Sequence, residues 1–572
     1  MTKRQSEMTK RLLATTKRQL FIKMKRLYLF FLLTTAVFIT TATISAQSKP
    51  PVSPFGAIES YEAADQASDL NISWTRMQFH WGELQPNGAD EWEVAITDDQ
   101  INAELRAKRE VTGLLIGIPD WARDEDDLPQ GLWLPHDDPD NLWANFVRQT
   151  VETYDGRITH WTVWNEPDID DTELAHTWDG DVDDFAQLQR VAYLVAKEAN
   201  PDAIIHLPAF TYWADFNAGR EQYMARLLDS IMEDPQAQAN KYYFDVATAH
   251  IYFQPDQIYD LLQLFQEIMA DRGMDKPIWL AETNAPPFDD QYWRVENPTL
   301  TVGIDEQANF IPQALAAAMA AGAERIAIFK LQDTESDKFA NPEPFGLLRR
   351  DGSRRPAFYA YRTASNLLAN GETAVRERWD TVGQIRIDQP ALEQSTTVLF
   401  SRLPTTQTAK IPATTDRAYL RDLRGTRADN DIFAHEGFFT VKLPPSTCYH
   451  PIGDYCMIGG PTFYLIQYRD PSLPVTVPTA TPTVTATAVA METATATVTI
   501  APTPTVAPTE TITPSPTATI EPTVTATIAP TATTMMETAV SPTNTSSNSG
   551  LYLLGGGLLM GLLIFGLWFR QR

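Results

Sequence analysis

Metal-ligating residues are scarce in this chain, which has only two cysteines and eight histidines among its 572 residues. None of them is grouped at metal-ligand spacing, and no glycine-rich phosphate loop occurs. Basic residues are also few, with 46 Lys and Arg against 73 Asp and Glu, so the net charge is −27. The sequence therefore predicts no cofactor, no metal site and no nucleic-acid partner, and nothing in it indicates an obligate protein partner.

The two ends of the chain carry the pattern of an exported, membrane-anchored protein. Residues 1–26 contain nine Lys or Arg against one Glu, and an uncharged run follows as far as Ala46. This pattern predicts a signal peptide over 1–46, with an uncleaved anchor as the alternative. Residues 550–569 form a second uncharged run, long enough as a helix to span a bilayer. Arginines follow it, so we expect a cytoplasmic tail over 570–572 and everything before the helix outside.

Ahead of the predicted membrane helix, residues 471–549 consist mainly of Thr, Pro, Ala and Val. Such a composition cannot bury a core, so it predicts an extended, disordered stalk. Cys448 and Cys456 lie before the stalk, in the part predicted to be exported, where disulfides persist. We therefore expect a small local disulfide between them.

Residues 50–370 alternate between short apolar runs and helical patterns. Eight apolar runs occur, at 55–58, 74–79, 111–118, 158–164, 203–207, 244–249, 277–281 and 325–329. Eight strand–helix units predict an α/β fold, a (β/α)8 TIM barrel, rather than an open doubly wound sheet. Over 371–470 the helical patterns give way to short strand-like runs, which predict a small β-sandwich domain.

Two glutamates end two of the predicted strands. Glu166 lies in Trp164-Asn165-Glu166-Pro167 after the fourth run, and Glu282 ends the seventh. Because the carboxyl ends of barrel strands line one open face, both side chains are expected at the same mouth. A single glutamate at a strand end is usually a salt-bridge partner, but hydrolysis of a glycosidic bond needs a carboxyl pair. The pair therefore predicts a glycosidase.

Polar and aromatic side chains follow the other predicted strands on the same face. They are Arg76, His80 and Trp81 after the second, Asp120 and Trp121 after the third, Phe210, Tyr212 and Trp213 after the fifth, and His250 and Tyr252 after the sixth. Twelve of the fourteen tryptophans lie between 74 and 293. A groove that stacks on sugar rings explains this distribution, and core packing is the alternative for about half of them.

Together these motifs resemble the retaining glycoside hydrolases of clan A, and the chain is most similar to family 39. The resemblance rests on Trp164–Pro167, Arg76–Pro86, Pro119–Ala122, Ala249–Tyr252 and Phe345–Gly352, and it covers about 50–470. It implies that the first glutamate is the acid/base and the second the nucleophile. It also implies carboxyl groups about 5–5.5 Å apart and retention of the anomeric configuration.

The resemblance also implies roles for neighbouring residues. Arg76 and Tyr252 are expected at the Glu282 carboxylate with His250 nearby, and Asn165 is expected to bind the 2-hydroxyl of the sugar. For the histidine and the tryptophans of this set, core packing is the alternative. The predicted substrate-binding residues are Arg76, Trp81, Trp121, Asn165, His250, Tyr252 and Lys330.

Lys330 marks a departure from the clan pattern. Many clan relatives carry Trp at the end of the eighth strand, whereas this chain has Ile328-Phe-Lys-Leu-Gln-Asp333 there. A cation near Lys330 or Gln332 would contact an acidic sugar such as a uronic acid, or would pair with a carboxylate.

The sequence thus predicts a retaining glycosidase that cleaves an extracellular or cell-surface polysaccharide and is anchored in the membrane by its C-terminal helix. Two alternatives stay open. One is an exo-acting β-xylosidase or uronidase-like enzyme, and the other is a non-catalytic carbohydrate-binding surface protein on the same barrel.

Overall fold

The structure is a computed structural model that describes residues 53–93, 98–169, 176–340 and 343–468. The predicted signal peptide (1–46), stalk (471–549), membrane helix (550–569) and tail (570–572) lie outside these residues. Within the described ranges, no helix combines the length and the apolar character needed to cross a membrane.

Eight parallel strands close into a barrel in chain order. They are β1 (Phe55–Ala57), β2 (Trp74–His80), β3 (Glu110–Ile116), β4 (His160–Val163), β5 (Ile204–Phe210), β6 (Val246–His250), β7 (Ile278–Thr283) and β8 (Arg325–Ile328). The last strand returns to the first with Gly56 opposite Ala327. The predicted (β/α)8 barrel is confirmed.

Helices surround the barrel. They are α1 (Ala64–Asp69), α2 (Trp81–Leu84), α3 (Asp98–Arg106), α4 (Leu142–Thr153), α5 (Val182–Ala199), α6 (Trp213–Ala218), α7 (Tyr223–Glu233), α8 (Pro255–Asp271), α9 (Ile304–Ala320), α10 (Asp337–Ala340) and α11 (Pro356–Leu368). The start of α5 follows directly from the sequence, because the Asp181 side chain accepts hydrogen bonds from the Asp183 and Asp184 amides. Short 3-10 turns cover Ser60–Ala63, Asp120–Ala122, Lys241–Tyr243 and Pro390–Leu392.

Close packing inside the barrel explains one glycine. A Cβ atom at Gly113 on β3 would lie 2.3 Å from the Trp161 ring on β4. Both faces of a parallel barrel sheet are covered, so a large ring on one strand needs an empty position on its neighbour.

Residues after the barrel form an antiparallel sheet domain. Its strands are β9 (Thr373–Trp379), β10 (Val382–Gln389), β11 (Gln394–Ser401), β12 (Gln407–Pro412), β13 (Arg417–Arg421), β14 (Ile432–Phe433), β15 (Phe438–Leu443), β16 (Pro451–Ile452), β17 (Tyr455–Cys456) and β18 (Phe463–Tyr468). Six of them form one sheet in the order β14-β13-β18-β11-β10-β9, while β12 pairs with β15 and β16 with β17. Apolar side chains from the large sheet and from the β12–β15 pair form a shared core, as expected of a β-sandwich.

Helix α9 joins the sheet domain to the barrel. The buried Gln313 side chain accepts a hydrogen bond from the Gly459 amide at 2.9 Å and donates to the Gly460 carbonyl at 3.2 Å. Glu306 accepts from the Tyr449 amide at 3.1 Å. A disulfide links Cys448 to Cys456 beside these contacts.

Candidate active site

Glu166 extends from the carboxyl end of β4 in a constrained backbone. Trp164 and Glu166 have positive φ angles of 70° and 49°, a region that is costly for residues other than glycine. Two hydrogen bonds hold this conformation, from the Trp164 amide to the Leu115 carbonyl at 2.9 Å and from the Glu166 amide to the Ala209 carbonyl at 3.1 Å. The backbone that carries Glu166 is therefore held by both neighbouring strands, and the residue is 7% exposed.

Glu282 lies on β7 opposite His250, at a point where the register between β6 and β7 shifts. The Arg76 guanidinium from β2 forms an ion pair with its Oε1 atom. The Tyr252 hydroxyl donates a hydrogen bond to its Oε2 atom. Each oxygen of the buried carboxylate thus has a donor, as an ionised buried carboxylate requires.

His250 connects the two carboxylates. Its Nδ1 atom lies 2.6 Å from Glu166 Oε1 and 3.5 Å from Glu282 Oε2. Its Nε2 atom lies 3.3 Å from Nη1 of Arg76. An arginine can only donate, so a neutral ring accepts at Nε2 and carries its proton on Nδ1, from which it donates to Glu166.

The two carboxyl groups differ in their proton affinity. Burial raises the pKa of the Glu166 carboxyl, and the negative charge of Glu282 adds to the effect, although His250 opposes it. Burial also acts to raise the pKa of Glu282, but His250, Arg76 and the Tyr252 hydroxyl outweigh it and hold that pKa below its usual value. One buried carboxyl group therefore favours its protonated form beside another that favours its ionised form.

Glu166, His250 and Glu282 also form a group with metal-ligand chemistry, because one oxygen of each carboxylate and a ring nitrogen lie within 4.8 Å of one another. The Arg76 guanidinium on Glu282 already supplies a positive charge at this place. A cation would have to share the carboxylate with that guanidinium, so the donor set fits an ion-paired carboxylate better than a metal site.

Asp168 is a buried carboxyl group two residues after Glu166 that sequence reasoning missed. Its Oδ2 atom accepts hydrogen bonds from the Thr211 amide and hydroxyl, both at 2.8 Å, and from the Tyr212 amide at 3.0 Å. Its Oδ1 atom is buried without a partner among the described residues. Asp168 therefore ties the loop that carries Glu166 to the end of β5. The Asn-Glu-Pro-Asp sequence contains the residue, but its partners lie about 43 residues further along the chain, directly after β5.

Replacing Asp168 by Asn should change how stability depends on pH. Burial raises the pKa of the Asp168 carboxyl from 3.8 to about 6. The folded protein thus takes up a proton that the unfolded chain does not, so the stability contributed by this group falls as pH rises from about 4 to 6. The Asn side chain does not titrate in this range. The free energy of unfolding of the variant should therefore rise relative to that of wild type as pH increases from about 4 to above 6, by up to about 3 kcal/mol.

Thermal unfolding midpoints of variant and wild type at pH 4 and pH 7 measure this effect. The exposed Asp65, changed to Asn, is the matched control and should show no such gain. A midpoint difference that stays the same at both pH values would contradict a raised pKa at Asp168.

The other predicted substrate-binding residues separate into exposed and buried ones. Asn165 is half-buried, and its side chain has no hydrogen-bond partner among the described residues, so its amide is available to a ligand. Trp121 is partly exposed and donates from Nε1 to the Gln85 carbonyl at 2.6 Å. Trp81, in contrast, has no exposed surface and stacks on Phe146 with ring centroids 5.0 Å apart. The prediction that Trp81 contacts the sugar is therefore corrected, because Trp81 is a core residue.

Lys330 is also corrected. Its side chain is buried, and its ammonium group pairs with Glu59 and with Asp337 Oδ1, the latter at 3.1 Å. Of the two roles considered for this cation, the structure supports the pairing with carboxylates. A buried ammonium group needs such partners, so it has no free charge to offer a sugar acid.

Phe329 stands at the end of β8 instead. This partly exposed ring lies with its centroid 6.4 Å from that of Tyr252 and 5.6 Å from that of Phe345, both edge to face. Phe329 therefore contacts the tyrosine that donates to Glu282. In the sequence, this aromatic position was indicated by the apolar residue directly before Lys330.

Seven of the twelve tryptophans between 74 and 293 are buried in the core. They are Trp74, Trp81, Trp143, Trp161, Trp164, Trp178 and Trp279. Core packing thus explains somewhat more than half of the group, and Trp133 is its most exposed member at 62%.

The structure of this chain resembles that of a known glycoside hydrolase. No family model matches the sequence, and no curated protein matches it either. A family 39 glycoside hydrolase from the gut symbiont Bacteroides cellulosilyticus WH2 is similar over 73% of this chain and 81% of its own, with 15% identity and a TM-score of 0.54.

Two further structures have TM-scores of 0.49. One is a xylanase of glycoside hydrolase family 30 subfamily 8 from Clostridium acetobutylicum, which covers 73% of this chain and 96% of its own at 12% identity. The other is a monomeric β-xylosidase from Caulobacter crescentus CB15, which covers 73% and 97% at 14% identity. The resemblance to family 39 that the motifs predict is confirmed at the level of the fold, on the structure from Bacteroides cellulosilyticus.

Proposed function

We propose that this chain is a retaining glycosidase that hydrolyses O-glycosidic bonds of a polysaccharide by double displacement. The observation that carries the proposal is the buried carboxyl pair at the mouth of the barrel, whose pKa values are shifted in opposite directions. Glu166 is the acid/base, because its raised pKa keeps a proton available. Glu282 is the nucleophile, because its lowered pKa keeps it ionised.

In the first displacement, Glu282 attacks the anomeric carbon and forms a glycosyl ester. The bond to the leaving oxygen breaks while Glu166 gives that oxygen its proton. In the second displacement, the ionised Glu166 takes a proton from water, and the resulting nucleophile cleaves the ester with a second inversion. An oxygen of each carboxylate lies within 4.8 Å of the other, which supports retention, since inverting enzymes keep about 6.5–9.5 Å between their carboxyl groups to admit a water.

Neighbouring residues support both steps. Arg76 and Tyr252 hold the nucleophile in its ionised form and orient its oxygens. His250 donates to Glu166 Oε1, so it stabilises the carboxylate that remains after proton transfer and helps the residue change from acid to base. Asn165 is available for the 2-hydroxyl of the sugar, a contact that strengthens as positive charge develops on the ring.

We place this activity at the outer surface of the cell. The support comes from the sequence of the two ends, where a basic leader with an apolar run precedes the barrel and a Thr/Pro-rich segment with a second apolar run follows the sheet domain. The long stalk predicted for residues 471–549 would suit a large external substrate better than a small diffusing sugar.

The neutral class of substrate is favoured over the uronide alternative. That alternative depended on Lys330, whose charge is taken up by Glu59 and Asp337. A non-catalytic binding protein is disfavoured because both glutamates are present, each with the partners that its chemical role requires.

A glycoside panel tests the proposal directly. Aryl glycosides and soluble polysaccharides are incubated with the full-length chain, and new reducing ends are counted. For any substrate that is cleaved, proton NMR during the first turnovers should show a product with the anomeric configuration of the substrate. Inverted product would contradict Glu282 as nucleophile, and no cleavage of any glycoside would contradict the enzyme itself.

A further inference from the structure

Trp133 is an exposed aromatic ring at the edge of the barrel mouth. It lies between β3 and α4, and its Nε1 atom donates to Asp184 Oδ1 at 3.0 Å. Asp184 belongs to the first turn of α5, the helix that follows β4. The tether holds the indole over the β3/β4 sector, where 62% of the residue stays exposed.

Tyr292 is a second exposed ring, 64% accessible, in the loop between β7 and α9. The guanidinium carbon of Arg349 lies 4.7 Å from its ring centroid. Asp290 accepts from Nε of Arg349 at 2.8 Å and from Nε of Arg355 at 2.6 Å. Arg355 caps α11, which follows β8, so Tyr292 is held over the β7/β8 sector.

These two sectors lie on opposite sides of the mouth. The barrel closes in the order β1 to β8, so two strands separate β3/β4 from β7/β8 on each side, β5 and β6 on one and β1 and β2 on the other. Glu166 extends from β4 and Glu282 from β7. The carboxyl pair therefore lies between the two sectors of the barrel from whose loops the two rings extend.

The surroundings of Trp133 are strongly acidic. Exposed carboxyl groups in its loop and in the start of α5 are Asp124, Glu125, Asp126, Asp127, Asp137, Asp140, Asp179, Asp181 and Asp183. Arg123, in the same loop, is paired with Asp127 and Asp179. Such a field repels a polyanion within a Debye length of about 8–10 Å.

We infer that Trp133 and Tyr292 are two outer sugar-stacking platforms, and that a neutral polysaccharide chain lies across the mouth between them and is cut internally. The inference rests on the proposed function, because the carboxyl pair lies between the platforms. Flat aromatic faces stack on the C–H faces of sugars, and both rings are held in place by polar partners while a large part of each is exposed. A short glycoside that fills the site between the glutamates reaches neither platform.

The test separates long from short substrates. Trp133→Ala and Tyr292→Ala are made in the full-length chain, with Phe433→Ala as control, because Phe433 is 69% exposed on β14 of the sheet domain and belongs to no loop of the barrel. Probes are xylan, mixed-linkage glucan, polygalacturonate and aryl glycosides. Each platform variant should lose about three- to tenfold in kcat/KM on the neutral polymer that wild type cleaves. On the aryl glycoside of the same sugar, kcat/KM should be unchanged in all three variants.

Product sizes and binding complete the test. Wild type should release oligosaccharides of mixed length from the first time points, and polygalacturonate should be a poor substrate. Release of monosaccharide only, or equal losses on polymer and aryl glycoside, would overturn the inference. Affinity electrophoresis in the same neutral polymers gives an answer without turnover. If no substrate is cleaved but both platform variants bind the polymer more weakly than wild type, the proposed function is wrong and the two platforms are supported. If the variants bind the polymer as tightly as wild type, the platforms are wrong.

Discussion

Replacing Glu282 by Gln should reduce kcat by at least about 10⁴-fold on every substrate that the wild-type chain cleaves, with a much smaller change in KM. The amide cannot form the glycosyl ester, and no other carboxylate contacts Arg76 and Tyr252 in the described site. Initial rates on an aryl glycoside measure the loss. Because the leaving group of such a substrate departs without protonation, the loss of kcat reports on the nucleophile alone.

Folding must be checked in the same variant. The Glu282→Gln change leaves the buried Arg76 guanidinium without its anionic partner, and breaking a buried pair costs about 3–5 kcal/mol. The thermal unfolding midpoint therefore has to be compared with wild type. Glu296→Gln, an exposed glutamate in the loop after β7, is the matched control and should keep full activity. Wild-type kcat in a folded Glu282→Gln protein would contradict the assignment.

Replacing Glu166 by Gln should lower kcat/KM by about 10²–10⁴-fold on substrates with poor leaving groups. On an activated aryl glycoside the first displacement should be nearly unchanged, because a good leaving group departs without a proton. The ester intermediate should then accumulate, since no base activates water, and a burst of released phenol should precede a slow steady state. Stopped-flow absorbance measures the burst.

The pH profile gives a second test of Glu166. Glu282 must be ionised and its pKa is lowered, so wild-type activity falls as pH drops through that pKa. Glu166 must be protonated and its pKa is raised, so activity falls as pH rises through that value. The Glu166→Gln variant should lose only the alkaline limb. An unchanged alkaline limb would assign the proton to another group.

An external nucleophile distinguishes the two roles. With azide, Glu166→Ala should yield a glycosyl azide of retained configuration, because azide attacks the ester intermediate. Glu282→Ala should yield the inverted azide, because azide takes the place of the missing carboxylate. The opposite assignment of products would exchange the two roles.

The barrel and the carboxyl pair could be predicted because both depend on local periodicity. A polar residue that follows a barrel strand lies at the mouth of the barrel. Glu166 and Glu282 each follow a clear apolar run. What a side chain touches next depends on residues far away in the chain. Lys330 illustrates this, since Glu59 from the loop after β1 provides one of its carboxylates.

The same limit applies to Trp81 and Asp168. A tryptophan after a strand is equally able to face the mouth or the helices, and contacts with distant residues such as Phe146 on α4 decide which side it takes. Asp168 becomes a buried group with partners through the Thr211 and Tyr212 amides, which directly follow β5. No pattern within either segment encodes these contacts, because they arise when separate segments pack.

The packing of helix α9 has a consequence for how the protein unfolds. Its alanines and apolar side chains belong to one continuous core that also contains Ile385, Val398 and Tyr464 of the large sheet. A chain that ended at residue 370 would leave this back surface of the helix facing water, together with the buried Gln313 amide. We therefore expect the barrel and the sheet domain to unfold as a single cooperative unit, with one thermal transition.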